Sequence, residues 1–137
     1  MYKKVFPVLL LLLLVLVGCT KSVAIDTDLG AFTLARIKFV DSYAELSAED
    51  GEYLLVVALN SDGFDETKFK AYFCAEDGSS VARIKVAGEE RDCIAVGVQG
   101  NSGSERVEYT LIFPVKTNNE KASMELKAPN KDWIVLQ

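Results

Sequence analysis

The sequence predicts an all-β fold, an antiparallel β-sandwich of seven to eight short strands. Three observations lead to this prediction. Apolar and polar residues alternate over most of the chain after residue 30, turn-forming residues recur at fairly regular spacing, and few stretches show a helical period. Hydrophobic residues make up 50% of the 137 residues, and a chain of this size can bury a single core without added cross-links.

The N-terminal segment has the three parts of a secretory signal. Two lysines precede an apolar run at residues 5–17, and this run is too short for a membrane-spanning helix. The Leu-Val-Gly-Cys sequence at residues 16–19 resembles the lipobox of bacterial lipoproteins. The resemblance implies that residues 1–18 are a lipoprotein signal peptide and that Cys19 is lipidated. It also implies an extracytoplasmic protein of the cell envelope, bound to a bacterial membrane by its lipid anchor.

Residues 19–30 are polar and have no sustained period, so we expect a tether there and a sandwich domain at residues 31–137. The first strand pattern begins with Phe32. Its apolar alternation changes phase at residues 35–36, which predicts a β-bulge. Residues 53–59 are apolar on both faces, and this pattern predicts a central strand.

The next apolar residues also alternate, with Phe69, Ala71 and Phe73 on one side, so the pattern predicts another strand there. The Asp-Gly pair at residues 77–78 predicts a hairpin turn after it. Further strands are predicted at residues 81–86, 94–98, 107–115, 124–126 and 132–136.

Cys74 and Cys93 remain as an even pair once Cys19 is assigned to the lipid anchor. In an exported protein such a pair more often forms a disulfide than not. Both residues fall opposite apolar strand positions, so we expect a structural bridge on the outer face of the sandwich. Two buried free thiols are the alternative, and the sequence leaves the redox state open. Their separation is unlike that of a Cys-x-x-Cys redox motif.

Three strand patterns together resemble a known domain. They are Gly-Glu-Tyr-Leu-Leu-Val-Val-Ala-Leu-Asn at residues 51–60, the segment ending in Asp-Gly at residues 69–78, and Glu-Tyr-Thr-Leu-Ile-Phe-Pro-Val at residues 108–115, followed by Met-Glu-Leu-Lys. This layout resembles the telokin-like, immunoglobulin-like domains of bacterial lipoproteins, a family of unknown function. The resemblance implies an immunoglobulin-like sandwich and an envelope location, and it carries over no catalytic residue. The chain differs from the family at residues 100–104, where a Pro-Gly turn is usual.

Composition excludes several classes of function. The chain has 15 basic and 20 acidic residues, a net charge of −5 and no histidine. An acidic domain repels nucleic-acid phosphates, and the absence of histidine removes the commonest general base and metal ligand. We therefore expect neither an enzyme, nor a nucleic-acid-binding protein, nor a bound cofactor.

One surface is predicted to bind a partner. Strand parity places Lys68, Lys70 and Tyr72 together on an outward face, and an aromatic side chain between two lysines is suited to anchor a protein or glycan. This surface supports the preferred hypothesis, a lipid-anchored extracytoplasmic interaction module that binds an envelope protein or a surface polymer. The sequence does not define the partner, the final membrane or the oligomeric state.

A second set of residues predicts a weak metal site. Asp62, Asp65 and Glu66 follow the central strand and supply the oxygen ligands that calcium prefers. The segment lacks the ligand spacing of an EF-hand loop. It supports the alternative hypothesis, a calcium- or small-ligand-binding accessory subunit of a transporter or a cell-wall enzyme.

Overall fold

The computed structural model describes residues 22–61, 63, 65–100 and 107–137. The predicted signal peptide, Cys19 and Asp62 lie outside these residues. In the described part of the chain, eleven strands and one helix are present, and no helix is long and apolar enough to cross a membrane. The elements are β1 (Ala24–Asp26), β2 (Ala31–Val40), β3 (Ser42–Tyr43), β4 (Leu46–Ser47), β5 (Tyr53–Ser61), α1 (Glu66–Phe73), β6 (Arg83–Val86), β7 (Glu89–Asp92), β8 (Ala95–Gly100), β9 (Val107–Val115), β10 (Met124–Lys127) and β11 (Ile134–Val135).

The strands form two packed antiparallel sheets, which confirms the prediction of a mostly β, antiparallel fold. One sheet has the order β1-β2-β5-β9-β8, the other has the order β11-β10-β6-β7, and β3 and β4 form a separate hairpin. The strand number exceeds the predicted seven to eight because several strands are only two residues long. The core lies between the two sheets, where Leu55, Leu111 and Phe113 of the first sheet join Ile84 and Leu126 of the second.

β5 lies in the middle of the five-stranded sheet, as the sequence predicts. It pairs with β9 from Tyr53 opposite Val115 to Ser61 opposite Val107, and residues 54–59 are all buried. Alternate residues of β5 face the core. The β3–β4 hairpin contacts the opposite face, where the hydroxyls of Tyr43 and Thr110 lie 3.3 Å apart. Because both faces of this strand are covered, its sequence is a continuous apolar run.

β2 contains the predicted bulge. Its register against β5 shifts between Leu34 and Arg36, so that Ala35 is the additional residue. The bulge changes which side chains face inward, and it accounts for the change of phase in the apolar alternation.

The sheet begins within the segment predicted as a tether. β1 pairs with β2, and Ile25 of β1 is fully buried opposite Phe32. The turn between the two strands is closed by Thr27, whose hydroxyl donates a hydrogen bond to the carbonyl oxygen of Gly30 at 2.6 Å and accepts one from its amide at 3.0 Å. Residues 24–26 are therefore part of the folded domain, so the tether prediction does not hold for them.

The strand predicted around residues 69–73 is wrong, because these residues lie in helix α1. Asp65 precedes the helix, and its carboxylate accepts hydrogen bonds from the amides of Thr67 at 2.8 Å and Lys68 at 3.3 Å. This is the geometry of an N-cap. Phe69 and Phe73 are buried four residues apart, one helical turn, whereas Ala71 between them is exposed. The chain is thus mostly β with one short helix.

Candidate binding groove

An extensive concave surface lies beside α1. This open groove of about 750 Å³ runs between one face of the helix and the loop at residues 74–79. Its lining carries Glu66 and Lys70 from the helix, Cys74 at the helix end, and Glu76 and Asp77 from the loop. The charged groups of the lining are therefore three carboxylates and one ammonium group, and one thiol lies beside them.

Short polar contacts shape the loop side of the groove. The Asp77 carboxylate accepts hydrogen bonds from the hydroxyl of Ser79 at 2.6 Å and from its amide at 2.9 Å. These bonds lower the pKa of Asp77, so the carboxylate stays charged. Gly78 has a φ of 74°, a conformation that glycine adopts at little cost. The Asp-Gly pair thus forms the predicted turn, but it connects α1 to β6 rather than two strands.

The predicted partner surface is divided by the helix. Lys68 is exposed, and Lys70 faces the groove with its ammonium 3.5 Å from the carboxylate of Glu76. Residues two positions apart on a helix do not share a face, so the outward strand face predicted for Lys68, Lys70 and Tyr72 does not exist. Of the three residues, only Lys70 lines the groove.

Tyr72 instead connects two other segments to the helix. Its hydroxyl donates a hydrogen bond to the carbonyl oxygen of Pro129 at 3.0 Å and accepts one from the amide of Asp28 at 3.2 Å. Lys131 adds an ion pair with Asp28 at 3.2 Å. The half-buried Tyr72 therefore holds the β1–β2 turn and the segment after β10 against α1. This contact is structural.

The predicted metal ligands are not gathered at one point in the described structure. The Asp65 carboxylate is engaged at the helix N-terminus, and its hydrogen bonds to the amides of Lys68 and Thr67 lower its pKa. Glu66 is exposed at the groove, and Asp62 lies outside the described residues. Within the described ranges, no group of three His, Cys, Asp or Glu residues is placed to hold a metal ion. The calcium alternative stays a prediction.

Cys74 and Cys93 come together, but no disulfide joins them, and both are free thiols. Cys74 is half-buried and lines the groove, whereas Cys93 is buried in the core. The thiol of Cys74 donates a hydrogen bond to the Cys93 carbonyl oxygen at 3.3 Å. The thiol of Cys93 donates one to the carbonyl oxygen of Ala95 at 3.2 Å.

The prediction that both cysteines face outward is wrong for Cys93. Cys74 directly follows helix α1, so the alternation of side chains along a strand does not predict which way its side chain points. Cys93 lies at the point where the chain crosses from β7 in the second sheet to β8 in the first. Its amide donates to the carbonyl oxygen of Ala82 at 2.9 Å, beside the core. The crossing turns the Cys93 side chain inward.

The two thiols differ in acidity. The neighbouring Cys93 side chain and the charge of Lys70 lower the pKa of Cys74 to about 7 against the opposing effect of burial. The neighbouring Cys74 side chain and burial raise the pKa of Cys93. At neutral pH, Cys74 is therefore partly a thiolate, and Cys93 is a thiol.

Sequence reasoning missed the groove because it missed the helix. The signals were present: an Asp N-cap, an acidic residue in the first turn, Glu66, and two phenylalanines four residues apart. The alternation of Phe69, Ala71 and Phe73 outweighed them in the sequence interpretation.

The comparisons with known proteins identify no relative, since no family model, no curated protein and no solved structure matches the chain. The resemblance to telokin-like domains stays a prediction.

Proposed function

We propose that the chain is a lipid-anchored interaction module of a bacterial cell envelope, and that the groove beside α1 binds a segment of another envelope protein. The observation that carries the proposal is this open, charged groove of about 750 Å³. Clefts of ~300–1,000 Å³ are typical of sites that bind small molecules, and a groove of this volume also has room for the side chains of a bound segment. The signal and lipobox pattern supports the location, and the two packed antiparallel sheets support an immunoglobulin-like scaffold.

The charge of the groove indicates the chemistry of the partner segment. Glu66, Glu76 and Asp77 line the groove together with one lysine, Lys70, and the whole chain has a net charge of −5. Electrostatic complementarity favours a basic segment. Exposed ion pairs contribute little to stability. The pair between Lys70 and Glu76 is exposed on both sides, so a partner displaces it at little cost.

Photo-crosslinking in cells tests the proposal directly. A photoreactive amino acid replaces Ala71, which is exposed and lines the groove, in the full lipidated chain. The matched control carries the same amino acid at Ala35, which is exposed on β2. We expect one recurrent envelope protein to be crosslinked from position 71 and not from position 35.

Charge reversal connects the crosslink to the acidic lining. Glu76→Lys adds a positive charge at the groove, and we expect it to reduce the crosslink severalfold, whereas Lys38→Glu on β2 leaves it unchanged. Crosslinks of equal yield from positions 71 and 35, or crosslinks to envelope polysaccharide alone, would contradict a protein-binding groove. Tyr72 is not suited to this test because its replacement disturbs the contact with Pro129 and Asp28.

A further inference from the structure

The floor of the groove holds two thiols in unequal environments. Cys74 ends α1 and lines the groove, whereas only 5% of the Cys93 surface is exposed. The Cys74 sulfur lies 3.3 Å from the backbone carbonyl oxygen of Cys93, to which its thiol donates a hydrogen bond. A molecule in the groove therefore meets the sulfur of Cys74 first.

The backbone keeps the two cysteines in place. The amide of Ala82 donates a hydrogen bond to the carbonyl oxygen of Phe73 at 2.8 Å, and the amide of Cys93 donates one to the carbonyl oxygen of Ala82 at 2.9 Å. Ala82 is fully buried between them, and Cys74 forms a β-bridge with Val81. Both cysteines are thus fixed through one buried residue rather than through a mobile loop.

The surroundings of the outer sulfur favour its ionisation. The neighbouring Cys93 side chain lowers the pKa of the Cys74 thiol, and the charge of Lys70, one helical turn before Cys74, lowers it further. Glu66, Glu76 and Asp77 are the acidic groups along the same groove. Thiolate at the exposed position and protonated thiol at the buried one is the arrangement that thiol–disulfide exchange requires.

We propose that Cys74 and Cys93 form a thiol–disulfide exchange site, in which Cys74 attacks a disulfide that enters the groove and Cys93 resolves the mixed disulfide. The substrate class is a small-molecule or peptide disulfide, which is also the oxidant. This reaction does not depend on the groove binding a partner protein. It differs from a structural bridge because both thiols are free before the substrate arrives.

The proposed steps conserve atoms and electrons. The Cys74 thiolate attacks one sulfur of the disulfide, the sulfur–sulfur bond breaks, and the first thiolate leaves and takes a proton from water. Cys93 then loses its proton to water, its sulfur attacks that of Cys74, and the second thiolate leaves and is protonated. Two protein thiols are oxidised to one protein disulfide, and one substrate disulfide is reduced to two thiols.

Reaction with oxidised glutathione tests the assignment of the two roles. The reduced full chain, Cys74→Ser and Cys93→Ser are each treated in detergent without oxygen, and products are identified by intact mass and peptide mapping, which also reports on Cys19. We expect the unmodified chain to form a Cys74–Cys93 disulfide without retaining glutathione. We expect Cys93→Ser to retain one glutathione on Cys74, and Cys74→Ser to react at least ~10-fold more slowly.

Three results would overturn the proposal: oxidation of Cys93 in Cys74→Ser at the rate of the unmodified chain, a mixed disulfide that persists when Cys93 is present, or no reaction of the unmodified chain. Cooperative unfolding of each variant verifies its fold, and Cys93→Ala replaces Cys93→Ser if serine is not tolerated in the core. Lys70→Ala provides a second readout. It is expected to slow the first step by ~3–10-fold at neutral pH, and equal slowing in Lys68→Ala would contradict the electrostatic role.

Discussion

The central strand β5 and helix α1 both place apolar residues at alternate positions, but they fold differently. In β5, residues 54–59 are buried on two covered faces, and the nine-residue pairing with β9 fixes the register. In α1, Phe69 and Phe73 are fully buried, and Ala71 between them is exposed. Positions four residues apart satisfy both the strand period and the helix period. Alternation therefore predicts a strand reliably only where the residues between the apolar positions are also apolar and buried, as they are in β5.

The largest expected effect comes from the aromatic cluster that fixes α1 to the core. The ring of Phe69 stacks on that of Tyr109, with 4.3 Å between centroids, and its edge-to-face partner Phe32 lies at 5.8 Å. Phe69→Ala is expected to lower the free energy of unfolding by about 3–5 kcal/mol, because it removes a fully buried ring and leaves a cavity. Urea unfolding of the full chain measures this loss.

Lys68→Ala is the matched control in the same helix, since its side chain is exposed, and its change should stay within about 0.5 kcal/mol. A loss below about 1 kcal/mol in Phe69→Ala would show that the helix is not anchored by this cluster.

The next largest effect is expected in the sheet, at Gly97 of β8. A Cβ atom at this position would lie 2.6 Å from the hydroxyl oxygen of Thr110 and 3.5 Å from that of Tyr43. Gly97→Ala is expected to destabilise the chain by about 1–3 kcal/mol, since the buried Thr110 must move. Thermal or urea unfolding measures the change.

A double-mutant cycle identifies the cause of the Gly97→Ala effect. Removing the hydroxyl with Thr110→Ala should make the additional Gly97→Ala substitution cost less than it does alone. Additive effects of the two substitutions would contradict a direct clash between the added Cβ atom and Thr110.

The two regions also show how much of the molecule the sequence could predict. Antiparallel sheets, the central strand at residues 53–59 and the bulge at Ala35 were predictable, because side-chain periodicity records which faces are covered. The even number of cysteines also predicted that Cys74 and Cys93 lie together, but the unequal burial of the two thiols was not predictable. It depends on the chain crossing between sheets at Cys93 and on Ala82 bonding to both neighbouring backbones, and these are long-range arrangements with no local pattern.

A smaller effect is expected where Tyr72 ties α1 to two backbone segments. Tyr72→Phe keeps the ring and removes hydrogen bonds to the carbonyl oxygen of Pro129 and the amide of Asp28. We expect the free energy of unfolding to fall by about 1–2 kcal/mol, because the carbonyl oxygen and the amide both lose the hydroxyl as a hydrogen-bond partner. Lys70→Ala, in the same helix, should change stability by less than about 0.5 kcal/mol. Equal losses in both variants would contradict the separation of the structural contact from the groove.

The N-cap of α1 gives a pH-dependent prediction. Backbone hydrogen bonds from Lys68 and Thr67 lower the pKa of Asp65, so its contribution to stability is present above the unfolded-state pKa of ~3.9 and is lost as the pH falls through the lower folded-state pKa. Asp65→Ala should therefore lower the Tm by a few degrees at neutral pH and by less in acid. Asp65→Asn keeps a capping oxygen and should show little of this pH dependence. A constant Tm difference between Asp65→Ala and the unmodified chain across this pH range would contradict the role of the carboxylate.

The smallest effect is expected at the β6–β7 turn, where a local preference conflicts with the fold. Ala87 and Gly88 occupy a two-residue turn with φ values of 50° and 84°, and Ala87 is exposed. Two-residue hairpins with positive φ at both positions favour Asn-Gly. Ala87→Asn is expected to raise the free energy of unfolding by about 0.5–1 kcal/mol, measured as a higher urea midpoint with an unchanged slope.

Ala31→Asn supplies the control, because Ala31 is also exposed but lies in a regularly paired part of β2, where asparagine is disfavoured. A gain at both positions would indicate a general benefit of a polar surface side chain. A gain at Ala87 alone would show that backbone conformation decides the outcome. β5 and α1 differ in the same way. The apolar or polar character of a residue predicts its structural role only together with the backbone conformation that its neighbours impose.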